Sequence, residues 1–244
     1  MPDAVISEAA SIRRPHLHEE VFRRLAARIL NGELAVGSAL PAERLLADHF
    51  GVSRLLVRQA VHRLAEIGLC RVRQGGATIV EDPALAAHPT VGVLALELGT
   101  ARVTSRKELF ERQVLGAIPL LLLAEPRLSA RDAGELRSAI DQHERSPEDL
   151  AAFEERFWVM IADIGGNSFY RRDTRFWFGV VRANPDLRHP TFGAPATRIA
   201  FYRALVDALE QKAGAPEKYL VMARTVLEMI ASPLPRGSRS RARP

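Results

Sequence analysis

One stretch decides the fold of this chain: residues 40–80, which read LPAERLLADHFGVSRLLVRQAVHRLAEIGLCRVRQGGATIV. Apolar residues recur at helical spacing in its first part and predict a helix with a buried face: Leu45, Leu46 and Phe50. Gly51 is the residue type that ends a helix in a left-handed conformation, and Ser53 can cap a second helix. Two helices joined by a turn of about three residues are typical of a helix-turn-helix.

The second helix carries two arginines on one face. Its buried face is predicted from four apolar positions: Val57, Ala60, Val61 and Leu64. Arg54 and Arg58 are four residues apart near its start. In helix-turn-helix proteins this end of the helix enters the major groove, where arginine can bond guanine bidentately. The stretch therefore predicts a surface that reads DNA.

A short hairpin is predicted directly after these helices. Residues 70–73 and 78–80 alternate like strands on either side of the pair Gly75-Gly76, and paired glycines between such runs indicate a turn. A tip without bulky side chains can approach a phosphate backbone closely. Together with the helices this is a winged helix. A winged helix used only for protein contacts is the alternative, but the arginines on the helix and on the wing argue against it.

Residues 16–80 resemble the DNA-binding domain of the GntR family of bacterial transcription regulators. The resemblance rests on ARILNGELAVGSALPAERLLADHFGVSR, VRQAVHRLAEIGL and RQGGATIV. It implies contacts with DNA from Arg44, Ser53, Arg54, Arg58, Gln74 and Gly75. The chain departs from the family at Leu55 and Leu56, where members often have small or polar residues. Leucine cannot donate a hydrogen bond, but it can contact a thymine methyl group.

The positive charge is concentrated where this resemblance lies. The chain has a formal net charge of +5, and residues 11–80 hold eleven arginines against six acidic residues. The last fourteen residues add four arginines, whereas residues 83–230 are neutral overall. A polyanionic partner requires positive charge where it touches the protein, so this distribution favours contact with DNA at the N-terminal part.

Composition and apolar runs indicate a cytoplasmic protein that does not span a membrane. Cys70 is the single cysteine, so an intrachain disulfide is excluded and a reducing compartment is expected. The longest strongly apolar run, residues 116–124, is too short to cross a bilayer, and the first fifteen residues lack the apolar core of a signal peptide.

The sequence predicts a mainly α-helical fold with one small β-hairpin. We expect a winged helix-turn-helix domain over residues 10–82 and a linker over 83–90, where prolines and alanines accumulate. An all-helical bundle is expected over 91–231, and a disordered basic tail over 232–244. Within the bundle, a helix is predicted from 106 to 124, in which Pro119 either causes a kink or lies where a cavity is lined.

The helical half shows no pattern typical of catalysis. Its histidines have no spacing that suggests a metal site or a catalytic triad, and no glycine-rich phosphate loop is present. We therefore predict that the protein is not an enzyme and that it needs no cofactor.

The helical half resembles the effector-binding domain of the FadR subfamily within the GntR family. The matching segments are FERQVLGAI, FEERFWVMIADIGGNSFY and RIAFYRALVDALEQ. Many such domains hold a divalent metal through one acidic residue and three histidines. The acidic position falls on Glu154, but the histidine positions fall on Trp158, Tyr202 and Leu227. Because one carboxylate cannot make a transition-metal site by itself, we predict no metal.

Trp158, Tyr202 and Leu227 in place of the three histidines give the centre of this domain larger and more apolar side chains. It then resembles the metal-free, fatty-acid-responsive branch, which implies a small effector of anionic or acyl type, such as an acyl-CoA or a carboxylate. The resemblance places Arg112 as the anchor for the anion, with Glu154, Trp158 and Tyr202 in the pocket. The alternative is a collapsed pocket that these aromatic side chains fill. Further candidate anchors are Arg175 and Arg198.

The resemblance implies a transcription regulator, for example a repressor, that binds a palindromic operator in double-stranded DNA as a homodimer. The effector would shift the protein between arrangements that can and cannot bind DNA. Two alternatives remain open. One is a constitutive DNA-binding regulator whose helical domain only dimerises, and the other is a helical enzyme with a DNA-binding appendage.

Overall fold

The computed structural model describes residues 17–73, 75–100, 103–146, 149–187 and 194–231. The chain divides into two compact units, with the division between Ser105 and Arg106. Both are built mainly from helices, and the single sheet within the described residues has two strands. The predicted fold class is therefore confirmed.

The first unit is a winged helix-turn-helix followed by a short extra helix. Its elements are α1 (Leu17–Leu30), α2 (Glu43–Phe50), α3 (Arg54–Glu66), β1 (Cys70–Arg71), β2 (Ile79–Val80), a 3₁₀ turn (Pro83–Leu85) and α4 (Thr90–Glu97). The strands pair antiparallel, Cys70 with Val80 and Arg71 with Ile79. They form the base of the wing.

Local sequence signals position α2 and α3 as predicted. Gly51 ends α2 with φ of 64°, the left-handed region that favours glycine. The Ser53 hydroxyl accepts a hydrogen bond from the backbone N–H of Leu56 at 3.4 Å and caps α3. The predicted inner face of α3 is buried. The prediction for Leu45 is wrong, because its neighbour Leu46 points into the core and Leu45, about 100° further round the helix, is 55% exposed.

Helix α4 packs within the first unit. Val91, Leu94 and Ala95 are buried in the same apolar cluster as α1 and α3, and Arg23 of α1 pairs with Glu97 at 3.0 Å. The division at Ser105 therefore differs from the predicted linker at 83–90 and from a helical domain that starts at 91. The physical reason is the apolar face of α4, which is buried in the same cluster as residues of α1 and α3.

The second unit is all-helical over its described residues. Its elements are α5 (Arg106–Leu115), α6 (Ala117–Ala124), α7 (Ala130–Arg145), α8 (Leu150–Gly165), α9 (Ser168–Ala183), a 3₁₀ turn (Pro185–Leu187), α10 (Pro195–Glu210) and α11 (Ala215–Ala231). The core is formed by the inner faces of these helices, and α8 and α10 supply its aromatic centre, with Phe153, Phe157 and Tyr202.

The helix predicted from 106 to 124 is two helices, with the break at Gly116 instead of a kink at Pro119. Proline has no N–H for the carbonyl four residues earlier, at Leu115, and its ring collides with that carbonyl. The chain therefore restarts the helix, and Pro119 falls in the first turn of α6, where an N–H has no partner in any case. Gly116 permits the tight corner, because a Cβ there would lie 2.9 Å from the carbonyl oxygen of Arg112.

None of the helices in the described parts of the chain combines the length and the apolar character needed to cross a membrane.

Candidate functional sites

The start of α3 presents two arginines and a leucine at the surface of the first unit. Arg54 and Arg58 are exposed, and Leu55 is 64% exposed. Leu56, which the sequence could not separate from Leu55, is half-buried and donates its backbone N–H to the cap. Leu55 is therefore the leucine of this pair that is available to a partner.

Arg58 is held by a carboxylate from the neighbouring helix. Its Nε lies 3.3 and 3.4 Å from the two carboxylate oxygens of Glu43, and its Nη2 lies 3.2 Å from Oε2 of the same residue. Glu43 occupies the first turn of α2, so the pair joins the two helices of the motif on their exposed side. Sequence reasoning missed Glu43 as a partner of Arg58, because fifteen residues separate them.

The wing and α2 supply the other predicted contacts of this unit. Gly75 has φ of 70° and is exposed, as a wing tip requires, and Arg44 is exposed on α2. Gln74 lies outside the described residues. Cys70 packs beneath the wing, and burial together with the nearby Glu81 raises the pKa of its thiol to about 12. This thiol is therefore a packing residue and is protonated at neutral pH.

The second unit contains a cavity of about 490 Å³. Each of the four predicted effector residues lines it: Arg112, Glu154, Trp158 and Tyr202. Further aromatic side chains on its wall are Trp177, Phe178, Phe201 and Tyr219. The aromatic side chains thus surround an open cavity, and the alternative of a collapsed pocket filled by them is wrong.

The further arginines differ in their placement. Arg198 lines the cavity. Arg175 is absent from its wall and pairs with Asp163 at 3.1 Å on the surface. Leu227 is also absent from the cavity wall.

Arg112 is held at the wall by two side chains of α9. Its Nη2 donates to Asp173, and its guanidinium carbon lies 4.1 Å from the centre of the Trp177 ring. The indole N–H of Trp177 donates to the same carboxylate at 3.0 Å. Burial lowers the pKa of Arg112, and Asp173 opposes that effect. The arrangement is a half-buried cation paired with the carboxylate of Asp173, which another anion could replace.

A second polar contact lies among the aromatic side chains. The Tyr202 hydroxyl donates to Oε1 of Glu154 at 2.8 Å, and the Tyr202 ring packs edge-on against Phe153 and Phe157. Burial raises the pKa of Tyr202 well above its ordinary value, and the carboxylate of Glu154 adds to the rise. This hydrogen bond ties α8 to α10 across the centre of the unit.

The donor set does not fit the metal found in many related domains. Within the described residues, no group of three or more histidine, cysteine, aspartate or glutamate side chains could hold a metal ion. At the matching positions Glu154 accepts from a phenol and Trp158 offers no ligand atom. The wall of this cavity is therefore mainly aromatic and apolar, with two arginines, Arg112 and Arg198, and three carboxylates, Asp149, Glu154 and Asp173.

Comparison with known proteins identifies the family. A family model described as bacterial regulatory proteins, gntR family, matches residues 17–80. The HTH-type transcriptional regulator Mce2R of Mycobacterium tuberculosis is 32% identical over 237 residues, which cover 91% of this chain and 93% of that protein. The chain belongs to the GntR family.

Two further relatives of this GntR protein match shorter stretches. The HTH-type transcriptional repressor NagR of Bacillus subtilis is 39% identical over 67 residues, 28% of each protein. The fatty acid metabolism regulator protein of Haemophilus influenzae is 26% identical over 143 residues, 55% of this chain and 56% of that protein. The GntR protein described here is thus a DNA-binding transcription regulator, and its relatives are regulators rather than enzymes.

Proposed function

We propose that this GntR regulator belongs to the FadR subfamily and that its second unit senses a small anionic or acyl-type effector without a metal. In this proposal the first unit binds a palindromic operator in double-stranded DNA, and two chains act as a homodimer. The observation that carries the proposal is the 490 Å³ cavity with Arg112 on its wall.

The chemistry of the cavity supports a ligand with an apolar body and an anionic end. Ligand pockets commonly combine apolar and aromatic walls with a few polar groups that set orientation. Here the aromatic side chains supply the walls, and the Arg112 guanidinium can bind a carboxylate or a phosphate in its fork. The partial similarity to a fatty acid metabolism regulator supports an acyl-CoA or a carboxylic acid as the ligand class.

The operator contacts are proposed from the first unit. They comprise the residues named from the resemblance: Arg44, Ser53, Arg54, Arg58, Gln74 and Gly75. The exposure of the three arginines and the left-handed conformation of Gly75 support these roles. Arginines at the start of a recognition helix can bond guanine, and a wing tip of glycines can lie against the sugar-phosphate backbone.

The response to the effector is proposed to act through α9. An anion that engages Arg112 competes with Asp173, so its binding weakens the contact between α5 and α9. A ligand shifts an equilibrium only when it binds one arrangement better than the other, and the exchange of Asp173 for the ligand supplies such a difference.

The test is a thermal-shift measurement of the full-length protein with a panel of acyl-CoA thioesters and carboxylic acids. A ligand that binds the folded state stabilises it, by about 2.7 kcal/mol at a concentration one hundred times its dissociation constant. We expect R112A to lose the shift. R175A is the matched control, because Arg175 also pairs with an aspartate but lies outside the cavity wall.

Two outcomes would contradict the proposal. If no member of the panel shifts the wild-type protein, a regulator whose helical unit only dimerises is favoured. If R112A keeps the full shift while a ligand binds, Arg112 is not the anchor.

A further inference from the structure

Glu43 is the first residue of α2, and its carboxylate holds the guanidinium of Arg58 on α3. We infer that Glu43 is a positioning residue for operator selectivity: it orients Arg58 toward base edges and reduces the attraction of that arginine to phosphates. The inference rests on the proposed contact of Arg58 with the operator.

The geometry leaves one edge of the guanidinium available. Nε and Nη2 of Arg58 form its side edge, and both face the carboxylate oxygens of Glu43 at 3.2 to 3.4 Å. The end edge consists of Nη1 and the second N–H of Nη2. Two parallel N–H groups at this edge match the O6 and N7 acceptors of guanine. By holding the side edge of the Arg58 guanidinium, Glu43 orients the end edge toward the bases.

The exposure of the pair argues against a role in stability. The Arg58 side chain is 61% exposed and that of Glu43 is 36% exposed, and exposed ion pairs contribute little to the free energy of unfolding. The negative charge of Glu43 is itself favoured by its place in the first turn of α2, where the helix dipole is positive.

The charge of Glu43 has a second effect. A guanidinium that is already paired with a carboxylate attracts a phosphate less than a free one, and the carboxylate itself repels the phosphate backbone. Phosphate contacts supply nearly all of the nonspecific binding, whereas base contacts supply the specificity. Glu43 therefore lowers nonspecific affinity more than operator affinity and widens the ratio between them.

The experiment compares E43Q with the wild-type protein on two fluorescent duplexes. One carries the sequence that the wild-type protein selects from a random pool, and the other is a scrambled duplex of the same composition. We expect the ratio of their affinities to fall about tenfold in E43Q, the discrimination of one good arginine–guanine pair. On the scrambled duplex the slope of log affinity against log salt should steepen by about 0.9, one additional phosphate contact.

A double-mutant cycle separates positioning from a direct effect of the carboxylate. If Glu43 acts through Arg58, E43Q/R58A should have the same affinity ratio as R58A. E20Q is the charge-matched control, because Glu20 forms an exposed ion pair with Arg24 at 2.6 Å within α1. It should leave the ratio unchanged.

Three results would overturn the inference, and they are distinguishable. An E43Q ratio and salt slope equal to those of E20Q would show that the pair has no effect on selectivity. A further fall in the ratio when E43Q is added to R58A would show that the carboxylate acts on DNA directly. Wild-type operator affinity in R58A would remove Arg58 from the interface and with it the proposed contact.

Discussion

The hydroxyl of Tyr202 is a hydrogen-bond donor to the carboxylate of Glu154 at the centre of the second unit. Tyr202 donates to Glu154 and is almost fully buried. We expect Y202F to lower the free energy of unfolding by about 1–3 kcal/mol at pH 7, because a half-buried carboxylate loses a donor. Urea denaturation measures this loss. Y219F is the control and should cost less, since Tyr219 donates to a neutral acceptor, the carbonyl oxygen of Val114.

The pH dependence of the same variant has a definite sign. The pKa of Tyr202 is raised in the folded protein, so above pH 10 the unfolded state releases this proton more readily than the folded state. The stability that the protonated hydroxyl contributes is present below about pH 10 and is lost as pH rises above that value. The difference between wild type and Y202F should therefore narrow at alkaline pH. A constant difference would contradict this account.

A local pattern or the family resemblance supplied the positions of the individual site residues, and their roles remain proposals. Arg112 was placed by resemblance, and the cavity wall includes it. Its partners Asp173 and Trp177 were missed, because they lie more than sixty residues away on α9 and no periodicity marks them as its neighbours. The same holds for Glu43 and Arg58, whose contact depends on how α2 and α3 cross.

Elements were predicted well where a cap or a glycine fixes a boundary. Gly51 ends α2 and Ser53 caps α3 as expected. The two errors have different causes. The single helix over 106–124 divides because Pro119 collides with the preceding turn, which is a local effect of proline. Helix α4 joins the first unit because its apolar face packs against α1 and α3, and local propensity does not predict that contact.

The turn between α2 and α3 gives a test at the level of a helix boundary. In G51A, alanine must adopt the left-handed conformation, which costs about 1–2 kcal/mol, although no neighbouring atom obstructs the new methyl group. Gly134 is the matched control: it is exposed in the middle of α7 and also has open space around its position. G134A should stabilise by about 0.8–1 kcal/mol, because alanine favours the helix.

Chemical denaturation of both variants checks the signs. Stabilisation by G51A would contradict the left-handed turn, and destabilisation by G134A would contradict an unobstructed helical site in α7.

Charge is distributed unevenly over the whole molecule. Residues 11–80 hold the excess of arginine, whereas residues 83–230 are neutral overall. Electrostatic attraction to DNA is therefore expected from the segment that contains the winged helix, residues 11–80. In the proposed function, DNA and the effector bind different units. Any influence of one ligand on the other must therefore act through the equilibrium between the arrangements that can and cannot bind DNA.

Such an influence is reciprocal by thermodynamic necessity, and this provides the last prediction. If an acid from the ligand panel changes operator affinity by some factor, saturating operator must change the affinity for that acid by the same factor, typically about 5- to 150-fold. Titration of the acid with and without the selected duplex measures one factor, and titration of the duplex with and without the acid measures the other. R112A should reduce both factors to one while it retains operator binding, because the anion no longer displaces Asp173. Equal acid affinities in the presence and absence of the duplex, for an acid that weakens operator binding, would show that the acid does not act by binding to the protein. Unchanged factors in R112A would show that it acts through a site other than this cavity.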